Sequence, residues 1–342
     1  MPGPLLETLK GRRQEIAPVW LMRQAGRYLP EYRELRAEKG GFLELVYDSE
    51  AAAEITVQPI RRFGFDGAIL FSDILIVPHA MGQGLEFLAG EGPKMSPTLL
   101  EAKLEDFTSA FERFDPIYET VRLTRQQISD QVTMLGFAGS PWTVATYMIA
   151  GQGSKDQGPA RLMAYRDPSR MQAILDAISE VSITYLRGQI DAGAEAVQLF
   201  DSWAGSLAPD EFERWVIAPN AKITAAIKQS HPDTPVIGFP KGAGAKLPAY
   251  AGETGVDAVG LDETLDPSWA HGVLPEGMPV QGNLDPLLVE AGGAALAPRI
   301  KTILDAFEDR PHIFNLGHGI GQFTPIEHVE QLLDAVRGKG AA

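Results

Sequence analysis

Short apolar runs recur along the chain, rich in β-branched and aromatic residues, and each stops abruptly on polar ones. Residues 19–24 form the first. Residues 67–71 (GAILF) run into Ser72 and Asp73, and 132–137 (VTMLGF) into Gly139, Ser140 and Pro141. Residues 196–200 (AVQLF) stop on Asp201 and Ser202, 236–239 (VIGF) on Pro240 and Lys241, and 259–261 (VGL) on Asp262 and Glu263. The last two are 280–282 (VQG), before Asn283 and Asp285, and 313–316 (IFNL), before Gly317 and His318. Runs this short, bounded by turn formers, predict buried strands.

Between them the apolar positions return at three and four, the helical period. Such stretches cover 50–63, 99–129, 168–192 with a stop at Gly193, 209–229, and 287–307 with breaks at Gly292-Gly293 and Pro298. Near the end, Thr324 as cap, Pro325 at the first helical position and Glu327 three on from the cap predict a last helix running to about Arg337. Eight strands alternating with helices predict an α/β fold, a single (β/α)8 TIM-type barrel over residues 1–342. Its active site is expected at the C-terminal ends of the strands. An open doubly wound sheet is the other arrangement, but RQAGRYLP after the first run is not the glycine-rich turn that fold carries. Two connections are long. Residues 74–96 mix glycine with apolar pairs and read as a small hairpin excursion, and 141–167 contain GQGSKDQG, Gly151 to Gly158, either a lid or a flexible surface loop.

Composition narrows the function. A net charge of −15 without a basic stripe argues against nucleic acid, and an anionic substrate needs locally concentrated arginines. The absence of cysteine excludes disulfides, cysteine-ligated metals and a thiolate nucleophile. No apolar run reaches transmembrane length and the first residues lack a signal pattern, so a cytoplasmic protein without a membrane partner is expected. No HxH, HExxH or His–acidic cluster supports a metal site.

In a barrel the strand ends form one ring: Arg23, Arg27, Asp73, Ser140, Ser202, Lys241, Asp262, Asn283 and His318. Arg23 and Arg27 flank a glycine at a strand end, either as a clamp for carboxylates or phosphates or as plain surface arginines. Asp73 is the odd member, because an acid in an anion site raises its own energy unless it meets donors. It either salt-bridges an arginine or serves a ligand carrying both carboxylates and N–H groups.

The stretches PVWLMRQAGRYLPEYR, FSDILIVPHAMG, GFAGSPWTVATYMI, LFDSWAG, GFPKGAG, QGNLDP and FNLGHGI closely resemble the uroporphyrinogen decarboxylase family, in the family's order, from about Pro18 to Pro325. The resemblance implies a homodimer of barrels, with no metal or organic cofactor, that removes CO2 from the four acetate arms of uroporphyrinogen III to give coproporphyrinogen III. It also implies a ligand-binding segment of Arg23, Gln24, Ala25, Gly26 and Arg27, a central Asp73, and further contacts from Tyr147, Ser202 and His318. Asp73, Arg23 and Arg27 are then the expected catalytic group, with the proton donor open among Arg23, a substrate acid and water. After YMI the chain reads Ala150-Gly151-Gln152-Gly153-Ser154-Lys155, where the family pattern often has an acidic residue before a glycine-rich run. Two further readings stand beside it. One is a methyltransferase of the related barrel group, opposed by the missing cysteine; the other is a non-catalytic tetrapyrrole carrier.

Overall fold

In a computed structural model, which describes residues 2–88 and 92–338, the apolar runs assemble into one curled parallel sheet. Its strands are β1 (Gly67–Ile69), β4 (Thr133–Gly139), β5 (Ala196–Asp201), β6 (Val236–Pro240), β7 (Ala258–Gly260), β8 (Val280–Gln281) and β9 (His312–Ile313), hydrogen-bonded in that order. Between β1 and β4 lie β2 (Gly84–Leu88) and β3 (Gly92–Ser96), an antiparallel pair outside the main sheet. The long helices start where the chemistry provides for it. Asp48 accepts from the Ala51 N–H at the head of Ser49–Phe63, and Asp167 accepts from the Arg170 N–H at the head of Pro168–Asp191.

The first apolar run differs from the expected strand. It makes a single parallel bridge, Val19 with Phe314, and residues 22 and 23 already turn. That bridge is nevertheless the closure of the ring. Phe314 N–H donates to Pro18 O at 2.8 Å on the β9 side, while Asp66 N–H donates to Val19 O at 2.8 Å beside β1. Asp66 also accepts the Val19 N–H through its carboxylate at 2.7 Å. With the seam made, the fold is a TIM-type barrel of eight staves, one of them reduced to a bridge.

The N-terminal helix Pro4–Leu9 covers the floor. A Cβ at Gly67 would come within 2.8 Å of Leu5 Cδ1 and 3.2 Å of Trp20 Cβ, so a side chain there would push Leu5 aside and press on Trp20. Among buried groups, Trp20 Nε1 donates to Gln281 Oε1 at 2.9 Å and Gln281 Nε2 donates to Gln198 Oε1 at 3.0 Å. These side chains link the first run, β8 and β5 by hydrogen bonds, with Gln198 Nε2 at the end of the relay left without a partner.

Most of the connection 141–167, expected as a lid or surface loop, is helical, Pro141–Ala150 and Gly158–Arg166, and only the residues between them form a loop. Two further expectations shift in detail. The stretch 99–129 yields short 3-10 turns and then one helix, Asp115–Gln127. The last helix is Ile326–Val336, with Pro325 in the cap position, and buried Thr324 has no partner for its hydroxyl. The helix begins one residue later than the capping pattern suggests, which carries Thr324 out of reach of the orphan N–H groups.

Candidate active site

The site begins with the abrupt end of the first run. Buried Gln24 holds that turn: its Oε1 accepts from Leu21 N–H at 3.0 Å and its Nε2 donates to Gly67 O at 2.8 Å. This leaves Arg23 with φ +62°, a left-handed conformation uncommon outside glycine, and points it to the exposed side. The Gln24 side chain is therefore spent on the backbone and does not face the mouth, unlike its place in the expected ligand-binding segment.

Arg23 lies against Gly319, where a Cβ would stand 2.7 Å from Arg23 Cγ, so the glycine after His318 makes room for the guanidinium. Its charge is felt by Asp73, Tyr147 and His318 together, which marks these four as one cluster. Arg27 is exposed four residues on, and its charge is felt at the Tyr32 phenol. Ala25 and Gly26 are half-buried in the turn between the two arginines.

Asp73 sits just beyond β1 with a single backbone donor, the Leu75 N–H at 2.8 Å. Burial pushes its carboxyl up to about 6, against the opposing pull of that N–H and of Arg23. Residue and carboxyl differ in exposure: part of Asp73 reaches solvent, yet its acid group is crowded by protein. Tyr147 lies in the last turn of helix Pro141–Ala150, half-buried, with its phenol raised by burial. A Cβ at Gly153 would be 3.5 Å from its hydroxyl, which brings the 151–158 loop alongside the cluster. That helix is held in place by the β2–β3 excursion, through Met95 N–H to Gly151 O at 2.7 Å and Gln83 Nε2 to Met148 O at 3.1 Å.

His318 follows β9 half-buried. Burial first, then the Arg23 and Lys241 charges, push its pKa down to about 4, so it is neutral at pH 7. Ser202 follows β5 and is half-buried, in a peptide segment gripped from helix Pro141–Ala150: Trp203 N–H donates to Thr143 Oγ1 at 3.0 Å and Trp142 Nε1 donates to Trp203 O at 3.2 Å.

The rest of the expected ring divides. Ser140 is buried and donates to Asn220 Oδ1 at 2.9 Å. Asp262 is taken up by Gly242 N–H at 2.8 Å, Thr264 N–H at 2.9 Å and the Thr264 hydroxyl. Asn283 spends its amide N–H groups on Asp262 O and Leu265 O. These three shape the rim rather than face a ligand. Lys241 stays available on the rim, 3.3 Å from Glu263.

Two groups near the cluster escaped the sequence reading. Asp201, fully buried, accepts Thr143 Oγ1–H at 2.5 Å and is pushed up to about 7 by burial, so much of it is a neutral acid at pH 7. The buried Trp203 indole N–H lies beside the Tyr147 hydroxyl and partly offsets the effect of burial there, without reaching hydrogen-bond geometry. Both belong to LFDSWAG, whose polar residues were the available signal. Among the described residues no group of three or more His, Cys, Asp or Glu side chains is arranged to hold a metal ion.

The cluster thus combines a cation, an acid short of donors, a phenol and a neutral imidazole at the barrel mouth. The family model for uroporphyrinogen decarboxylase (URO-D) matches residues 3–338. The chain belongs to the uroporphyrinogen decarboxylase family. By that membership it is a carboxy-lyase. A uroporphyrinogen decarboxylase of Erythrobacter litoralis is 71% identical over 98% of this chain and 99% of its own. One of Novosphingobium aromaticivorans is 69% identical over 99% of both chains. In shape the chain is similar to a methyltransferase from Methanosarcina mazei, with a TM-score of 0.80 over 99% of this chain and 98% of that one. At 19% identity that likeness speaks to the barrel alone. The methyltransferase reading is not favoured beside relatives at such identity. No helix among the described residues is long and apolar enough to cross a membrane.

Proposed function

We propose that this chain removes CO2 from the four acetate arms of uroporphyrinogen III, giving coproporphyrinogen III, with Asp73 as its central catalytic group. The observation that carries this is a buried carboxyl, Asp73, with one backbone donor and an arginine's field upon it, at the mouth of a barrel. Such an acid gains most from a ligand that brings several N–H donors and acquires positive charge during reaction. A ring of four pyrroles does both. Arg23 and Arg27 hold acid arms through charge-assisted hydrogen bonds.

The electron sink is the pyrrole itself. A proton added to the ring carbon beside an acetate arm makes the ring cationic. The bond to the carboxyl carbon then breaks, CO2 leaves, and its electron pair neutralises the ring as an exocyclic methylene. A second proton on the methylene carbon and loss of the first restore the pyrrole and leave a methyl group. Each arm therefore takes up one proton and releases one CO2. Asp73 stabilises the cation from a water-poor site, where a fixed charge acts most strongly. His318, neutral at pH 7, orients the substrate together with Tyr147 and Ser202, while Ala25 and Gly26 present the turn's backbone between the arginines.

The same reading carries a homodimer and a cytoplasmic location. The exposed Leu100, Leu162 and Tyr165 suit burial in such an interface. The test is anaerobic incubation of the purified, chelator-treated protein with uroporphyrinogen III, then oxidation and separation by carboxylate count. Stepwise loss from eight carboxylates to four supports the proposal. Binding with an unchanged eight-carboxylate ligand would leave a carrier protein instead.

A further inference from the structure

Around the mouth the charged ligand groups and His318 gather on one side, while the neutral Tyr147 and Ser202 come after β4 and β5. The Arg23 run lies between β9 and β1, Asp73 follows β1, and His318 follows β9. Passing round the barrel from the Arg23 run in either direction, the stave four steps away is β6. The residue beyond β6 is Lys241.

Lys241 is built into the rim at that point. Its backbone N–H donates to Asp201 O at 3.0 Å and its carbonyl accepts Gly205 N–H at 3.0 Å. Its ammonium stands 3.3 Å from Glu263 Oε1, with the two side chains 27% and 23% exposed. Glu263 in turn lies under Gly317, where a Cβ would be 2.6 Å from Glu263 Cβ, and Lys241's charge is felt at His318. The ammonium therefore lies along the rim beside Glu263, close enough to His318 for its charge to act there. Glu263 Oε1 is its ion-pair partner, while Glu263 Oε2 is buried without a hydrogen-bond partner.

Resting on the proposed decarboxylase reading, we infer that Lys241 is a further substrate-binding residue, holding a carboxylate arm on the side of the macrocycle opposite Arg23, with Glu263 fixing its position. A ring bearing acid arms on every side needs a cation across from the arginines. In a chain of net charge −15, an arm there without one would meet the Glu263 carboxylate with no cation beside it. The arm is either an acetate or a propionate, and these differ in what reaction does to them: acetates are lost, propionates persist.

Steady-state kinetics of the wild type, Lys241→Met and Lys241→Arg, on uroporphyrinogen III and on its seven- and five-carboxylate intermediates, tests this. Lys241→Met is expected to raise KM for uroporphyrinogen about 10-fold, the scale of one charge-assisted hydrogen bond, with a much smaller change in kcat and the same melting temperature. Lys241→Arg is expected to recover most of the affinity. A KM rise of equal size on the five-carboxylate intermediate assigns the arm as a propionate, and one that fades as acetates are lost assigns it as an acetate. An unchanged KM in Lys241→Met overturns the inference, as does a rise that Lys241→Arg shares or that comes with a lowered melting temperature. If the wild type converts no uroporphyrinogen, the decarboxylase reading itself fails, a result distinct from any of these.

Discussion

Asp73 is held in a state that folding alone disfavours. Its ionised carboxylate has one backbone donor and lies where burial raises its pKa from 3.8 to about 6. Because the folded value exceeds the unfolded one, the folded state binds the proton more tightly, and stability falls as pH rises from about 4 to about 6 before levelling off. An amide in place of this carboxyl would mimic the protonated acid at every pH. Asp73→Asn is therefore expected to raise the melting temperature at pH 7–8, with the gain fading as pH falls toward the unfolded value of 3.8. The same substitution should lower kcat by at least ~10²-fold, the scale of losing one preorganised electrostatic partner. In the wild type, kcat/KM should fall on the acid side with a pKa about 6. Scanning calorimetry and a pH–rate profile check both halves, and a variant less stable than wild type at pH 8 would contradict this account. At this scale the sequence was legible where a residue's chemistry was anomalous for its surroundings, as with an acid among arginines. It was silent on direction. Gln24, Asp262 and Asn283 stand at strand ends as expected, yet turn their side chains onto backbone groups, and nothing in the residue types announces the left-handed Arg23 that depends on Gln24.

Single elements are joined to one another by a few polar side chains. Buried Gln83, just before β2, donates through Nε2 to Pro97 O at 2.8 Å and Met148 O at 3.1 Å, tying the excursion to the last turn of the helix that carries Tyr147. Leu99 N–H also serves Met148 O, at 2.9 Å, so removing Gln83's amide orphans chiefly the Pro97 carbonyl. Gln83→Met should lower the unfolding free energy by ~1–3 kcal/mol, the cost of one buried unsatisfied acceptor. It should also speed amide hydrogen exchange over 145–151 and reduce kcat severalfold through Tyr147. Unchanged exchange there would show that the excursion does not hold the helix. Alternating apolar runs and helical periods located the strands and the longer helices in advance, but not Pro30–Lys39, nor the two helices Pro141–Ala150 and Gly158–Arg166 inside a stretch that reads as a long connection. Ends shifted as well: the last helix starts beyond the Thr324 cap, and 99–129 holds one helix where the period allowed more. Local sequence sets what an element prefers, while packing sets where it begins.

For the molecule as a whole the weak stave is the first, and its seam is on the floor side. Asp66 ties it there by accepting Val19 N–H at 2.7 Å, in a barrel whose opposite face carries the chemistry. Asp66→Ala leaves that N–H without a partner and is expected to cost ~1–3 kcal/mol of global stability in urea titration, with kcat at moderate temperature within about twofold of wild type. A large loss of kcat without loss of stability would mean that the floor and the mouth are coupled. The barrel as such was legible from the count of alternating units. Its closure by a single bridge was not, because a stave bonded at one residue leaves no longer pattern than a turn does.

That bridge also orders events during synthesis. Val19 finds its partner Phe314 almost a whole chain away, and Arg23 lies only a few residues past Val19. A chain emerging from the ribosome can pair β4 with β5, and β5 with β6, as each appears. Its first stave has to wait for its last. The arginine cluster therefore exists only in the finished polypeptide, and a nascent or C-terminally truncated chain offers a macrocycle with many acid arms no competent cleft, however much of its sheet has already formed.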